Sequence, residues 1–260
     1  MTDTWDPRQY GKFEREREQP FFDLLTLVRP KEGMRVVDLG CGTGKLTRTL
    51  HARLAARETI GIDCSPRMLE DAVAAAGVAG LYFRVQAIDD FLSTDRAPHD
   101  LIFSNAVFQW IDGHETLLER TASRLAPGGQ IAFQVPANHT DPSHLVADEL
   151  TRVEPFRGAF RGWRRSVPVL APEDYARVLF GLGFADPIVR LIVYSHVLAG
   201  PEDVVEWTKG TLLTAYQHQL SSEMFDRFLD EYRRRLLARL GEARPFFYPF
   251  KRILCWGQRA

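Results

Sequence analysis

Arg35-Val36-Val37-Asp38-Leu39-Gly40-Cys41-Gly42-Thr43-Gly44 runs from a short apolar stretch into an acid and then into glycines at every second position. Met34, Val36, Val37 and Leu39 are too continuously apolar for a strand with one wet face, so they predict a buried parallel strand. The glycines allow a sharp turn and let a ligand lie against bare backbone. From Lys45 to Arg57, Leu46, Leu50 and Leu54 recur at helical spacing. The loop therefore feeds a helix whose first N–H groups are free to meet an anion or a polar ligand.

Gly-x-Gly-x-Gly alone is a weak signal, and its context strengthens it. Thr59-Ile60-Gly61-Ile62-Asp63 reads as a second buried strand that also ends in a carboxylate. An acid there can hold both hydroxyls of a ribose, the usual grip on a nucleotide in an open α/β sheet. Lys45 stands where a nicotinamide fingerprint would need a third glycine or an alanine.

Strands and helices continue to alternate, which predicts a parallel sheet with right-handed crossovers. Ser65 and Pro66 suit the start of a helix. Leu81 to Val85 is a third strand and His99 to Asn105 a fourth, with polar Ser104 and Asn105 at the end where such sheets bind ligands. In Phe108-Gln109-Trp110, the Gln-Trp pair either faces a substrate or leaves Trp110 to pack the next helix. A helix from His114 to Leu125 and a strand from Gln130 to Val135 follow, then a helix from Pro172 to Leu182 and a strand from Ile188 to Leu198. Upstream, a helix from Pro20 to Val28 is expected after an arm in which Trp5 and Tyr10 offer aromatic cover.

At 260 residues, 45% apolar and with a formal net charge of −1, the chain has ample core and no charge excess to attract a polyanion. Three cysteines argue against a disulfide framework and for a reducing compartment. No stretch reads as a signal peptide or membrane span, so a cytoplasmic protein is expected, monomeric or dimeric. No metal-ligand spacing stands out. Neither a broad basic face nor a base-flipping motif appears, which argues against nucleic acid as substrate.

Asp38-Leu39-Gly40-Cys41-Gly42-Thr43-Gly44 resembles motif I of the class I S-adenosylmethionine (SAM) methyltransferases, and Leu125-Ala126-Pro127-Gly128-Gly129 resembles another of their hallmarks. A longer set of motifs is similar to the trans-aconitate 2-methyltransferase family along nearly the whole chain. It comprises Trp5-Asp6-Pro7-x-x-Tyr10 with Arg15 or Arg17, Phe108-Gln109-Trp110, and Gln134-Val135-Pro136-x-Asn138-x-x-x-Pro142-x-His144. Tyr194-x-His196, Glu206-Trp207-x-x-Gly210-Thr211 and Phe250-Lys251-Arg252 complete it. The departures are Gln86, where the class usually has an adenine-binding Asp, and Thr43-Gly44-Lys45, where the family commonly has Pro-Gly-Asn.

The resemblance implies a doubly wound, mostly parallel seven-stranded α/β sheet, Rossmann-like, with a helical cap. The expected division is an arm over 1–30, a SAM-binding core over 31–136, a cap segment over 137–170, core again over 171–199, a helical cap insertion over 200–248 and a last core strand over 249–260. It also implies cofactor contacts from Asp38, Gly40, Cys41, Gly42, Gly44, Asp63, Cys64, Met68, Ile88, Asp89 and Asn105, with Asp89 a substitute for the missing adenine partner.

Arg157, Arg161, Trp163, Arg164 and Arg165 crowd one segment; they are either a solvated patch, paired in part with Glu149 and Glu154, or a fork for a carboxylate or phosphate. With the family in view, Trp110, His139, His144, Arg161, Arg164, Arg165 and Trp207 are the candidate acceptor-binding residues. The implied reaction is methyl transfer to a carboxylate of a small acid, releasing S-adenosylhomocysteine. A carboxylate is ionised at neutral pH and needs no general base. Arginines would then grip non-reacting carboxylates while Gln109, Tyr10 or a backbone group orients the reacting one. A hydroxyl or nitrogen acceptor, with His139 or His144 as base, and a non-catalytic nucleotide-binding module are the alternatives.

Overall fold

The computed structural model describes residues 14–74 and 77–260. Its strands are β1 (Arg35–Leu39), β2 (Glu58–Asp63), β3 (Leu81–Val85), β4 (His99–Asn105), β5 (Leu125–Pro136), β6 (Phe184–Leu198) and β7 (Phe246–Arg259). They form one seven-stranded sheet in the order β3-β2-β1-β4-β5-β7-β6. The first five pair in parallel, and β7 runs antiparallel between β5 and β6. The order reverses between β1 and β4, so the crevice of an open α/β sheet falls at their carboxyl ends.

The helices are α1 (Glu14–Leu25), α2 (Lys45–Leu54), α3 (Pro66–Ala74), α4 (Ile88–Thr94), α5 (His114–Ala122), α6 (Pro142–Leu150), α7 (Phe156–Phe160), α8 (Pro172–Gly181), α9 (Glu202–Lys209), α10 (Leu212–Gln217) and α11 (Ser222–Leu240). Strand alternation sorts the core into two layers. Val37 and Leu39 point to the face covered by α4, α5 and α8 through Phe91, Leu118 and Leu179. Val36 points to the opposite face, where α1 and α2 supply Phe21, Leu24, Leu50 and Leu54.

A third core, built from α6, α7 and α9 to α11, includes Leu150, Phe160, Trp207, Tyr216 and Phe228. The β6–β7 hairpin reaches into it with Leu198, Phe246, Tyr248 and Phe250, so the sheet carries this helical layer on its own longest strands.

Several expected boundaries move, β5 among them, which starts at Leu125 instead of Gln130. α1 starts at Glu14 instead of Pro20, because the alternating charges are themselves good helix formers. β6 starts at Phe184 instead of Ile188, with a register shift between Ala185 and Ile188 that absorbs Asp186 and Pro187. β7 begins at Phe246.

Candidate active site

The loop between β1 and α2 is fixed by hydrogen bonds from Gly40 N and Cys41 N to Ile62 O, at 2.8 and 2.9 Å. Asp63 ties the first two strand ends together: its carboxylate accepts Gly42 N and Ser65 N, each at 2.9 Å. Ser65 in turn accepts Met68 N at 3.1 Å and starts α3. The bareness of two glycines serves the protein's own packing rather than a ligand. A Cβ at Gly40 would lie 2.3 Å from Val107 Cγ2, and one at Gly44 would lie 2.7 Å from the Phe83 ring. A Cβ at Gly42 would come within 3.3 Å of Met68 Cε.

Asp38 is 3% exposed and accepts Thr47 Oγ1 at 2.6 Å. Burial first, and then the charge of Asp63, push its carboxyl up to about 7, against the pull of the Thr47 hydroxyl. The same causes, burial followed by the charges of Asp38 and Asp63, raise the Cys41 thiol, so it is no thiolate. Two carboxylates that disfavour one another's charge, with no cation acting on Asp38 among the described residues, suit a positively charged ligand. The sulfonium cofactor implied by the sequence has that character, so the residues present fit it.

At the end of β4, Ser104 Oγ donates to Leu39 O at 3.0 Å, and Ala106 takes a left-handed φ of 59°. Asn105 Oδ1 accepts Gln134 Nε2 at 2.7 Å, while Gln134 Oε1 accepts the buried Arg252 Nη1 at 3.0 Å. The chain Arg252–Gln134–Asn105 thereby turns the Asn105 amide so that its oxygen is engaged. The 3₁₀ turn Phe108–Trp110 is anchored from below: His114 Nε2 meets Phe108 O at 3.0 Å and Nδ1 meets Tyr175 Oη at 2.5 Å. A carbonyl only accepts, so Nε2 carries the proton and Nδ1 accepts the tyrosine hydroxyl. Gln109 uses one of its two Nε2 hydrogens on Ala106 O at 2.6 Å, and among the described residues its buried Oε1 has no hydrogen-bond partner. The second N–H remains a donor, while the bare Oε1 would repel a carboxylate.

Beyond β5 the chain folds back on β7. Asn138 exchanges two hydrogen bonds with the Lys251 backbone, at 2.8 and 3.0 Å, and Lys251 Nζ binds Asp141 at 2.6 Å. His139 and His144 sit in the field of Arg165 and Lys251. Burial first, and those two cations next, hold His139 below its ordinary value. Burial, Arg165, His139 and Lys251 drive His144 down to about 3. Among the described residues, Arg165 Nε and Nη2 are buried without a partner at hydrogen-bond geometry, although the guanidinium acts on the Tyr216 hydroxyl. Its segment is tied to the turn below by Ser166 Oγ donating to Asp112 at 2.5 Å.

The arginine cluster therefore divides. Arg165 turns inward, whereas Arg161 caps α7 in the left-handed region and is exposed, and Arg164 is exposed and donates to the backbone of Trp163 at 3.0 Å. Trp207, expected at the acceptor, is only 2% exposed and packs against His196 and Phe250 at 5.1 and 5.2 Å between ring centres. An aromatic on a helix served the cap's core.

Trp110 is 40% exposed at the end of its turn. Asp89 is exposed and paired with Arg120 at 2.5 Å, which competes with any role at an adenine. Ile88 and Met68 are half-buried, and Cys64 is exposed. Tyr10 and Trp5 lie outside the described residues. Lys251 and the Arg252–Gln134 relay went unassigned from sequence; the run Phe250-Lys251-Arg252 flagged them without a role. Among the described residues no group of His, Cys, Asp and Glu suits a metal ion, and no helix is long and apolar enough to cross a membrane.

The methyltransferase domain family matches residues 36–129. A trans-aconitate 2-methyltransferase from Deinococcus radiodurans is 39% identical over 96% of each chain. One from Streptomyces avermitilis is 37% identical over 96% of this chain and 95% of its own. Among solved structures, the YcgJ protein from Bacillus subtilis superposes with a TM-score of 0.60 at 15% identity, covering 92% of this chain and 97% of its own. That likeness speaks to the fold.

Proposed function

Because the chain belongs to the trans-aconitate 2-methyltransferase family, we propose that it is a SAM-dependent O-methyltransferase that esterifies one carboxylate of trans-aconitate or a closely similar polycarboxylate. The observation that carries this reading is kinship over nearly the whole chain, cap as well as glycine loop. It acts on a free small acid rather than nucleic acid, in the cytoplasm; the three free thiols fit a reducing compartment.

Asp38, the Gly40–Gly44 loop, Asp63, Met68 and Asn105 would hold SAM, with Asp63 fixed by its two backbone donors. When bound, SAM supplies a methyl on a sulfonium, which a carboxylate oxygen takes as the carbon–sulfur bond breaks and its electrons return to sulfur. The protein's part is alignment and exclusion of water. The cap segments 137–170 and 200–248 close the acceptor side. Arg165, whose buried Nε and Nη2 meet the geometry of no hydrogen bond among the described residues, grips a non-reacting carboxylate so that the attacking oxygen keeps its charge. A histidine held near 3 is too weak a base to activate a hydroxyl, which argues against His144 in that role.

The test is S-adenosylhomocysteine release with trans-aconitate, cis-aconitate, citrate, isopropylmalate, fatty acids and phenols as acceptors. Turnover confined to the polycarboxylates supports the reading. Turnover on phenols, or on none of the acids, removes it.

A further inference from the structure

We infer that Lys251 is a second anion-binding residue of the acceptor site and that Asp141 occupies its ammonium group as a placeholder for a substrate carboxylate. The inference rests on the polycarboxylate reading above and deepens it: the site would hold two non-reacting carboxylates, one on Arg165 and one on Lys251.

Several observations converge. The Lys251 backbone is clamped on both sides by Asn138, which roots the side chain where the 137–144 segment leaves the carboxyl end of β5. That is the end of the sheet at which open α/β folds take their ligands. The Lys251–Asp141 pair is half-buried, at 31% and 17% side-chain exposure, so its charges interact through less water than a surface pair does. Asp141 also holds the N-cap position of α6, yet its side chain makes no cap bond to that helix. An N-cap aspartate ordinarily turns its carboxylate to the helix N–H groups; this one is drawn to Lys251 instead.

Charge balance points the same way. Arg165 and Lys251 both act on His139 and His144, and Asp141 is the one carboxylate in that set. Asp148 accepts the Tyr216 hydroxyl at 2.7 Å, and Arg165 acts on the same tyrosine. At Lys251 the ammonium has three donors, of which Asp141 takes one. A polycarboxylate would meet the Arg165 donors directly and displace Asp141, in whole or in part, from Lys251.

The test is a pair of variants with opposite expected signs, read as the KM for trans-aconitate beside the Kd for SAM. Lys251→Met should raise KM about 10- to 100-fold, the scale of a lost charge-assisted hydrogen bond, and Lys251→Arg should recover part of it. Asp141→Asn should lower KM about 3- to 10-fold by removing the internal competitor. SAM affinity should stay within about twofold in all three. If Lys251→Met does not fold, Asp141→Asn decides alone: a raised or unchanged KM there means the pair is structural, and the inference falls. A wild-type protein that turns over no polycarboxylate overturns the reading beneath it as well. Wild-type turnover with an unchanged KM in Lys251→Met overturns this inference only.

Discussion

Asp38 keeps a proton to about pH 7, roughly three units above an ordinary aspartate, because burial and Asp63 both penalise its charge. A cationic ligand binds the ionised form better. SAM affinity should therefore rise with pH up to about 7 and level off above it, and Asp38→Asn should flatten the profile while weakening binding; calorimetric titration from pH 5.5 to 8.5 reads both. The linkage to stability has the opposite sense. The folded chain holds a proton that the unfolded chain has lost, so without ligand, stability falls as pH climbs from about 4 to about 7. Arg165 allows a second residue-level prediction. Arg165→Met should raise the acceptor's KM at least tenfold and leave SAM affinity unchanged, whereas Arg161→Ala and Arg164→Ala should change neither by more than about twofold, as exposed charges do. Equal effects across the three would mean that the inward turn of Arg165 is irrelevant to binding.

The 3₁₀ turn after β4 shows how one short element is held in place for chemistry. Its Phe108 carbonyl is gripped by His114, His114 by Tyr175, and all three rings lie in the main core layer with Phe133. Burial keeps His114 below its usual value, so the relay stays neutral and its proton stays on Nε2. Tyr175→Phe would leave Nδ1 of a buried histidine without its donor, at a cost of about 1–3 kcal/mol. Denaturant midpoints should fall accordingly. If the relay positions Gln109 and Trp110 for the acceptor, kcat/KM for the acceptor should drop further than SAM affinity does. A loss of stability with unchanged kinetics would reduce the relay to packing. The same reasoning explains the Arg252–Gln134–Asn105 chain: a buried arginine in the middle of β7 sets the face that an asparagine on β4 shows to the crevice.

Across the whole molecule, what a local pattern encodes was legible and what a tertiary choice decides was not. Val36-Val37-Asp38 and the glycines specify strand, turn and helix within a few residues, so β1, its loop and the acid of β2 could be read directly. Which of four arginines turns inward depends on Arg161 ending α7 in a left-handed conformation and on a non-helical stretch after it, neither of which has a periodic signature. Trp207 was named through its family motif, and a motif does not say whether an aromatic meets a ligand or the core until the partners that bury it are known. They are known now, and they locate its energy. Trp207 belongs to the cap's own core, separate from the two layers that sandwich the sheet and hold the glycine loop. Trp207→Ala should cost about 3–5 kcal/mol, and that loss should be concentrated in the cap. Acceptor KM should then rise more steeply than SAM Kd, and protection of cap amides from hydrogen exchange should fall while that of β1 and β4 holds. A uniform loss of protection, with SAM and acceptor affinity falling together, would mean that cap and sheet unfold as one unit and that the long β6–β7 hairpin couples them rigidly.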